Sequence, residues 1–249
     1  MTTPEDRWFR FERVQSTQDT ARDLVRRGEI TDRGIVIAEG QSDGRGRGGK
    51  PWESPPGGLW MTRVSPIHLD FSLRGLYPIA AGVAAVDALQ RVAGVRAWLK
   101  WPNDLLVGES KLGGILCETA GTAILIGLGI NVRGVPEMPN ADPGAPTPVA
   151  LMDAMGGAPG GCPGMVEDLG RTFDDRMAQE EAVLMREPTS AIAAWKKRTR
   201  MMGRSVSVIT GEGTFEATAR DLDSTGGLVV ELESGQRRIL TSAEVSIRF

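Results

Sequence analysis

The chain has 249 residues, of which 41% are hydrophobic and 24% charged, with a net charge of −3. That balance fits a water-soluble folded protein with one sizeable core and a small appendage, and its acidic sign argues against broad nucleic-acid binding. Two cysteines, Cys117 and Cys162, without CxxC spacing, and a single histidine, His68, leave no disulfide framework and no multi-histidine metal site. The N-terminal MTTPEDRWFRFERV carries acids where a leader needs bases, and no apolar run approaches the roughly eighteen residues of a membrane helix. A cytoplasmic protein with no membrane or nucleic-acid partner is expected.

In chain order, Ser16 or Thr17 caps an amphipathic helix, TARDLVRRGEI, that ends at Gly28. RGIVIAEG (33–40) reads as a buried strand, with GLWMTRVS (58–65) beside it across a glycine-rich loop. Residues 72–94 have apolar side chains at helical spacing and stop on Gly94. LLV, GES and KLGGILCET form a hairpin, and AILIGLGINV (123–132) is apolar throughout, as a central strand would be. A proline-rich connector, GVPEMPNADPGAPTP, precedes three helices between 149 and 201. After Gly203 come five short alternating segments with turns between them, the pattern of a small five-stranded β-barrel. The domain boundary falls near Met202, giving units 1–202 and 203–249.

Three stretches carry candidate chemistry. In GRGRGGK (44–50), glycine lets backbone approach a ligand closely and arginine offers a planar fork for carboxylate or phosphate. The stretch reads as a mobile anion clamp, as a solvated loop, or as one short RGG-like segment; it lacks the lysine and hydroxyl of a phosphate-binding Walker loop. In KWPNDLLVGESKLGGIL (100–116), Pro102 stiffens a turn presenting Asn103 and Asp104, an amide and a carboxylate suited to Mg²⁺ brought in with a nucleotide. A turn over Val107–Ser110 returns Lys111 near Asp104, though the same residues also suit a charged hairpin with a surface lysine. In GLGIN (127–131), alternate glycines weaken an apolar strand unless something flat lies on that face, and a bent core strand satisfies the pattern equally.

The order GRGRxxxxW, KWPNDL, KLGGIL, GLGIN and a small C-terminal barrel resembles the biotin protein ligases, from about Phe9 to the C-terminus. The resemblance implies an α+β fold: a mixed-sheet, class II synthetase-like catalytic domain with packed helices, followed by a small Src-homology-3-like five-stranded barrel. It implies an ATP-dependent ligase that makes biotinyl-5′-AMP and pyrophosphate, then passes biotin to a lysine of a biotin carboxyl carrier domain. ATP with Mg²⁺ and biotin are then substrates, with no bound prosthetic group. Carried over by motif, Ser16, Thr17, Gln41, Gly44, Arg45, Lys111, Gly113 and Gly114 hold biotin. Arg45, Gly46, Arg47, Trp52, Asn103, Lys111, Gly127, Gly129 and Asn131 hold ATP or the adenylate. Lys111, Asp104 and Arg45 are catalytic, and Asn103 with Asp104 are the metal candidates. In this picture the loop is disordered until biotin and phosphate arrive, Gly44 and Gly46 permit its closing turn, and Trp52 stacks on adenine. Gln18, Gly48 and Lys50 depart from the residues usual in the family, which puts hydrogen bonding at the biotin head and the grip on the adenylate in doubt. The chain starts on the catalytic domain, so a helix-turn-helix domain and operator binding are not expected. A lipoate or octanoate ligase, or a non-catalytic biotin or nucleotide binder, shares the fold but fits these motifs less well. Sheet-edge homodimers leave no readable signature here.

Overall fold

A computed structural model describes residues 7–135, 146–157, 164–211, 213–241 and 246–248. Its main sheet has seven strands: β1 (Trp8–Val14), β2 (Gly34–Gln41), β3 (Leu59–Pro66), β4 (Trp98–Lys100), β5 (Asp104–Val107), β6 (Ser110–Ala120) and β7 (Ala123–Ile130), in the order β1-β2-β3-β7-β6-β5-β4. Among the described strands of this sheet, β1 and β2 alone pair in parallel, and the other pairs are antiparallel. The fold is α+β, as expected. Cys162 and residues 136–145 of the proline-rich connector lie outside the described residues.

Alternation along β7 shows how the sheet works. Ile124, Ile126, Leu128 and Ile130 point into the large core, which they share with α2 (Leu76–Ala93) and α4 (Met165–Arg186). Ala123 and Leu125 point the other way, under α1 (Thr17–Arg26), with Val36, Val64 and Leu24. That second face continues as Gly127 and Gly129, and side chains at i, i+2 and i+4 share a face. The face that α1 covers at one end is therefore floored by glycine at the other. On the core side, alanines of α2 allow close packing, while buried Arg63 is satisfied by Asp174 and Glu181 of α4. Two short strands escaped the sequence reading: β1 and β4, the two edges.

The connector is followed by α3 (Leu151–Ala154), α4 and α5 (Ser190–Lys196). Beyond them β8 (Ser205–Thr210), β9 (Gly213–Leu222), β10 (Leu228–Glu231), β11 (Arg237–Leu240) and β12 (Ser246–Arg248) form a five-stranded antiparallel sheet ordered β11-β10-β9-β8-β12. Its inward residues Val206, Val208, Ala219, Leu228 and Val230 belong to the same contiguous core as the main domain. Trp101, in the turn before β5, donates its indole N–H to the carbonyl of Gly226 at 3.0 Å. Among the described residues no helix is long and apolar enough to cross a membrane.

Candidate active site

Strand register assembles the site. Lys100 pairs with Asp104, Asp104 with Gly114, Gly114 with Gly129, and Gly129 with Trp60. Side chains opposite one another in paired strands lie on the same face. A row of two charges and two glycines thus crosses the sheet on the α1 side. The next row holds Leu116, Gly127 and Thr62.

Charge concentrates at the head of that row. Lys111 Nζ lies 2.6 Å from Asp104 Oδ1, so the hairpin brings lysine and carboxylate together. Lys100, a residue the sequence reading passed over, sits 3.7 Å from the other side of the same carboxylate and is itself buried. Burial pushes the Arg47 guanidinium below its ordinary range, and the negative charge of Asp104 partly opposes that. Three cations around one carboxylate leave positive charge over, which attracts an anion. The Lys111 backbone is also fixed: its N–H donates to Thr147 and its carbonyl accepts from Val149, both on the returning connector.

The glycine–arginine loop is folded rather than disordered. Gly46 N–H donates to the carbonyl of Lys50 at 2.7 Å, and Trp52 N–H to that of Gly44 at 2.8 Å. The turn's positive φ values fall at Gly48 (67°) and Gly49 (72°), not at Gly44 and Gly46. Gly44 is needed for a different reason, since a Cβ there would lie 2.3 Å from the carbonyl oxygen of Trp52. Folded this way, the loop lays Trp52 on the sheet. A Cβ at Gly129 would meet the indole Nε1 at 2.7 Å, and one at Gly114 would touch the ring at 3.4 Å. The flat group on the glycine floor is therefore the chain's own tryptophan, with Lys111 Nζ 5.0 Å from the ring centroid. Gly127 makes room for Gln18, whose amide nitrogen would stand 2.9 Å from a Cβ there. Gly113 faces away from the slot, because its Cβ direction runs into the Gly129 carbonyl and Ile130.

Polar groups at the start of α1 divide into those already used and those left over. Thr17 donates to the Gln41 carboxamide oxygen from its backbone N–H (2.8 Å) and its hydroxyl (3.1 Å), and it accepts from Thr62. The Gln41 amide donates to Ser54, which donates to the Trp52 carbonyl. Thr17 and Gln41 thus tie the loop to the helix. Ser16 occupies the N-cap position, yet its hydroxyl makes no capping bond. The hydroxyl is buried without a partner, as are Gln18 Oε1, Trp52 Nε1 and Asn131 Oδ1. Orphaned buried polar atoms are rare, and four around one slot indicate a polar ligand.

Asn103 donates its side-chain N–H to the Ile115 carbonyl and accepts the Ile115 N–H at its own, so it fastens the turn to β6. It does not join Asp104 in a resident metal site: the Asp104 carboxylate is taken by lysines. Among the described residues no three His, Cys, Asp or Glu side chains group to hold a metal ion. Arg45 points to carboxylates of the protein itself, with Nη2 2.6 Å from Asp19 and 3.4 Å from Glu118. Cys117 is half-buried, and desolvation together with the neighbouring Glu118 charge pushes its thiol pKa up; the His68 backbone N–H donates to the Tyr77 hydroxyl.

Sequence comparison matches residues 10–133 to the biotin/lipoate A/B protein ligase family and residues 202–248 to the biotin protein ligase C-terminal domain. The chain is 31% identical over 248 residues to the biotin--[acetyl-CoA-carboxylase] ligase of Mycobacterium tuberculosis, covering 95% of this chain and 88% of that protein. Its fold is similar to that of the Aquifex aeolicus biotin protein ligase solved with biotin and ATP: TM-score 0.80, 23% identity, 97% of this chain and 98% of that one. It is also similar to the Leishmania major biotin protein ligase solved with biotinyl-5-AMP: TM-score 0.67, 26% identity, 97% of this chain and all of that one (100%).

Proposed function

The chain belongs to the biotin protein ligase family, and we propose that it activates biotin with ATP as biotinyl-5′-AMP and transfers the biotinyl group to a carrier lysine. The observation that carries this reading is the Asp104 carboxylate ringed by Lys111, Lys100 and Arg47 beside a glycine-floored slot with orphaned polar atoms. A reaction joining two anions needs that excess of positive charge, held rigid and away from bulk water.

In the first step a biotin carboxylate oxygen attacks the α-phosphorus of ATP and pyrophosphate leaves. Lys111 turns from Asp104 to the phosphoryl and carboxylate oxygens, and Arg45 and Arg47 of the folded loop neutralise the remaining charge. Ser16 and Gln18 bind the polar head of biotin, a role supported by the unpartnered Ser16 hydroxyl and Gln18 Oε1, whereas Thr17 and Gln41 are engaged with each other. Trp52 shifts on its glycine floor to stack on adenine, and Asn131 Oδ1 accepts from its edge. Mg²⁺ arrives on the phosphates of ATP. In the second step the amine of the acceptor lysine attacks the acyl carbon and AMP departs, with Asp104 orienting the incoming nitrogen.

Incubation with ATP, Mg²⁺, biotin and a biotin carboxyl carrier domain, read by intact mass, tests the proposal. One added biotinyl group is expected, and none when lipoate replaces biotin. Modification by lipoate instead would favour the sister activity. No modification with either, and no biotin-dependent pyrophosphate exchange, would refute ligase function.

A further inference from the structure

Arg45 lies in a four-residue charge cluster outside the row of Lys100, Asp104 and Lys111. Arg22 of α1 donates to Asp19 at 2.7 Å and to Glu118 of β6 at 2.8 Å. Arg45 shares both carboxylates through one nitrogen, Nη2, at 2.6 and 3.4 Å. Its Nε is buried and has no partner. The guanidinium is planar, so fixing Nη2 also fixes the direction of Nε. Asp19 follows immediately on Ser16, Thr17 and Gln18, and Glu118 lies two residues along β6 from Leu116, whose carbonyl binds Gln18.

We propose that Asp19 and Glu118 are positioning residues that hold the Arg45 fork so its free Nε–H serves the substrate anion, fastening the loop to the two elements that form the biotin pocket. The inference rests on the ligase reading. Arg22 has a lesser part. It braces α1 against β6, but without it both carboxylates remain for Arg45.

The test measures biotin-dependent ATP–pyrophosphate exchange and the half-life of enzyme-bound biotinyl-adenylate in the parent, Asp19→Asn, Asp19→Glu and Arg22→Gln, each with its thermal midpoint. Asp19→Asn is expected to raise KM for biotin about fivefold and shorten the adenylate half-life about fivefold, the scale of one partly exposed ion pair. Its thermal midpoint should fall by no more than about 4 °C. Asp19→Glu keeps the charge and should return both values to within about twofold of the parent, as should Arg22→Gln. Added salt should narrow the gap between Asp19→Asn and the parent. Parent-like behaviour in Asp19→Asn, or an equal loss in Arg22→Gln, would overturn the inference while leaving ligase function standing. A parent without biotin-dependent exchange would sink the functional reading and this inference together.

Discussion

Replacing Lys111 with alanine separates what this lysine does for the fold from what it does for the reaction. In the resting protein its ammonium forms a 2.6 Å pair with a partly exposed carboxylate and lies 5.0 Å from the Trp52 ring. Such a pair contributes about 1 kcal/mol, and the ring contact at most about as much again. The loss does not strand Asp104, because Lys100 remains 3.7 Å away on its other oxygen. Lys111→Ala should therefore fold, losing roughly 1–2 kcal/mol in chemical unfolding and no more than about tenfold in biotin affinity. At the phosphorus the cost is different in kind. One preorganised donor facing charge that grows in the transition state supplies about 3–4 kcal/mol, so biotin-dependent exchange should fall about 10²- to 10³-fold in kcat. Calorimetry of biotin binding beside exchange kinetics reads both quantities. Retained exchange, or a fall in affinity as large as the fall in kcat, would refute the assignment of Lys111 to the transition state.

Gly129→Ala places a Cβ 2.7 Å from Trp52 Nε1, so the indole must leave its floor; the overpacking should cost about 1–3 kcal/mol, with a shift in tryptophan emission as the direct readout. Unchanged emission would contradict the stacking. Gly48→Arg adds a guanidinium in open space but at φ 67°, so the loop should lose about 1 kcal/mol of stability, whereas Lys50→Arg at φ −65° should be neutral; paired thermal midpoints decide. Arg10, bonded to both Glu167 oxygens at 2.8 and 2.7 Å, holds that carboxyl below the usual range, with help from Arg171. Its stabilisation is present above the ordinary carboxylate pKa and lost as pH falls through the depressed folded value. The gap in thermal midpoint between the parent and Glu167→Gln should accordingly close on acidification, and a gap constant with pH would contradict it.

How far the sequence carries depends on how local each signal is. The runs that became β2 and β7 are buried on both faces, and the apolar spacing and Gly94 stop of residues 72–94 need no partner to be recognised, although the helix itself begins at Leu76. The edge strands lack such signals. β1 is WFRFERV, where the adjacent charges Glu12 and Arg13 break the alternation, and its parallel partner starts 20 residues past its end, at Gly34. KWPND and GLGIN are each legible, but their meeting is not, since the pairing of Asp104, Gly114 and Gly129 depends on a register shift between Leu105 and Leu106. The alternate glycines of 127–131 pointed to something flat, and a ring does lie there; nothing local says it is Trp52. Asp19 and Glu118 could not be found at all, because their importance lies in contacts with Arg45 across 26 and 73 positions.

The hydrogen bond from the Trp101 indole to the Gly226 carbonyl ties the turn bearing Asp104 to the small C-terminal sheet, and the two units share one apolar interior. These halves are not interchangeable modules. A chimera that grafts a foreign tail onto residues 1–202 must reproduce both that carbonyl and the shape of the apolar seam beneath it. A tail that folds well on its own yet misses either would leave the turn that carries Asp104 without its anchor.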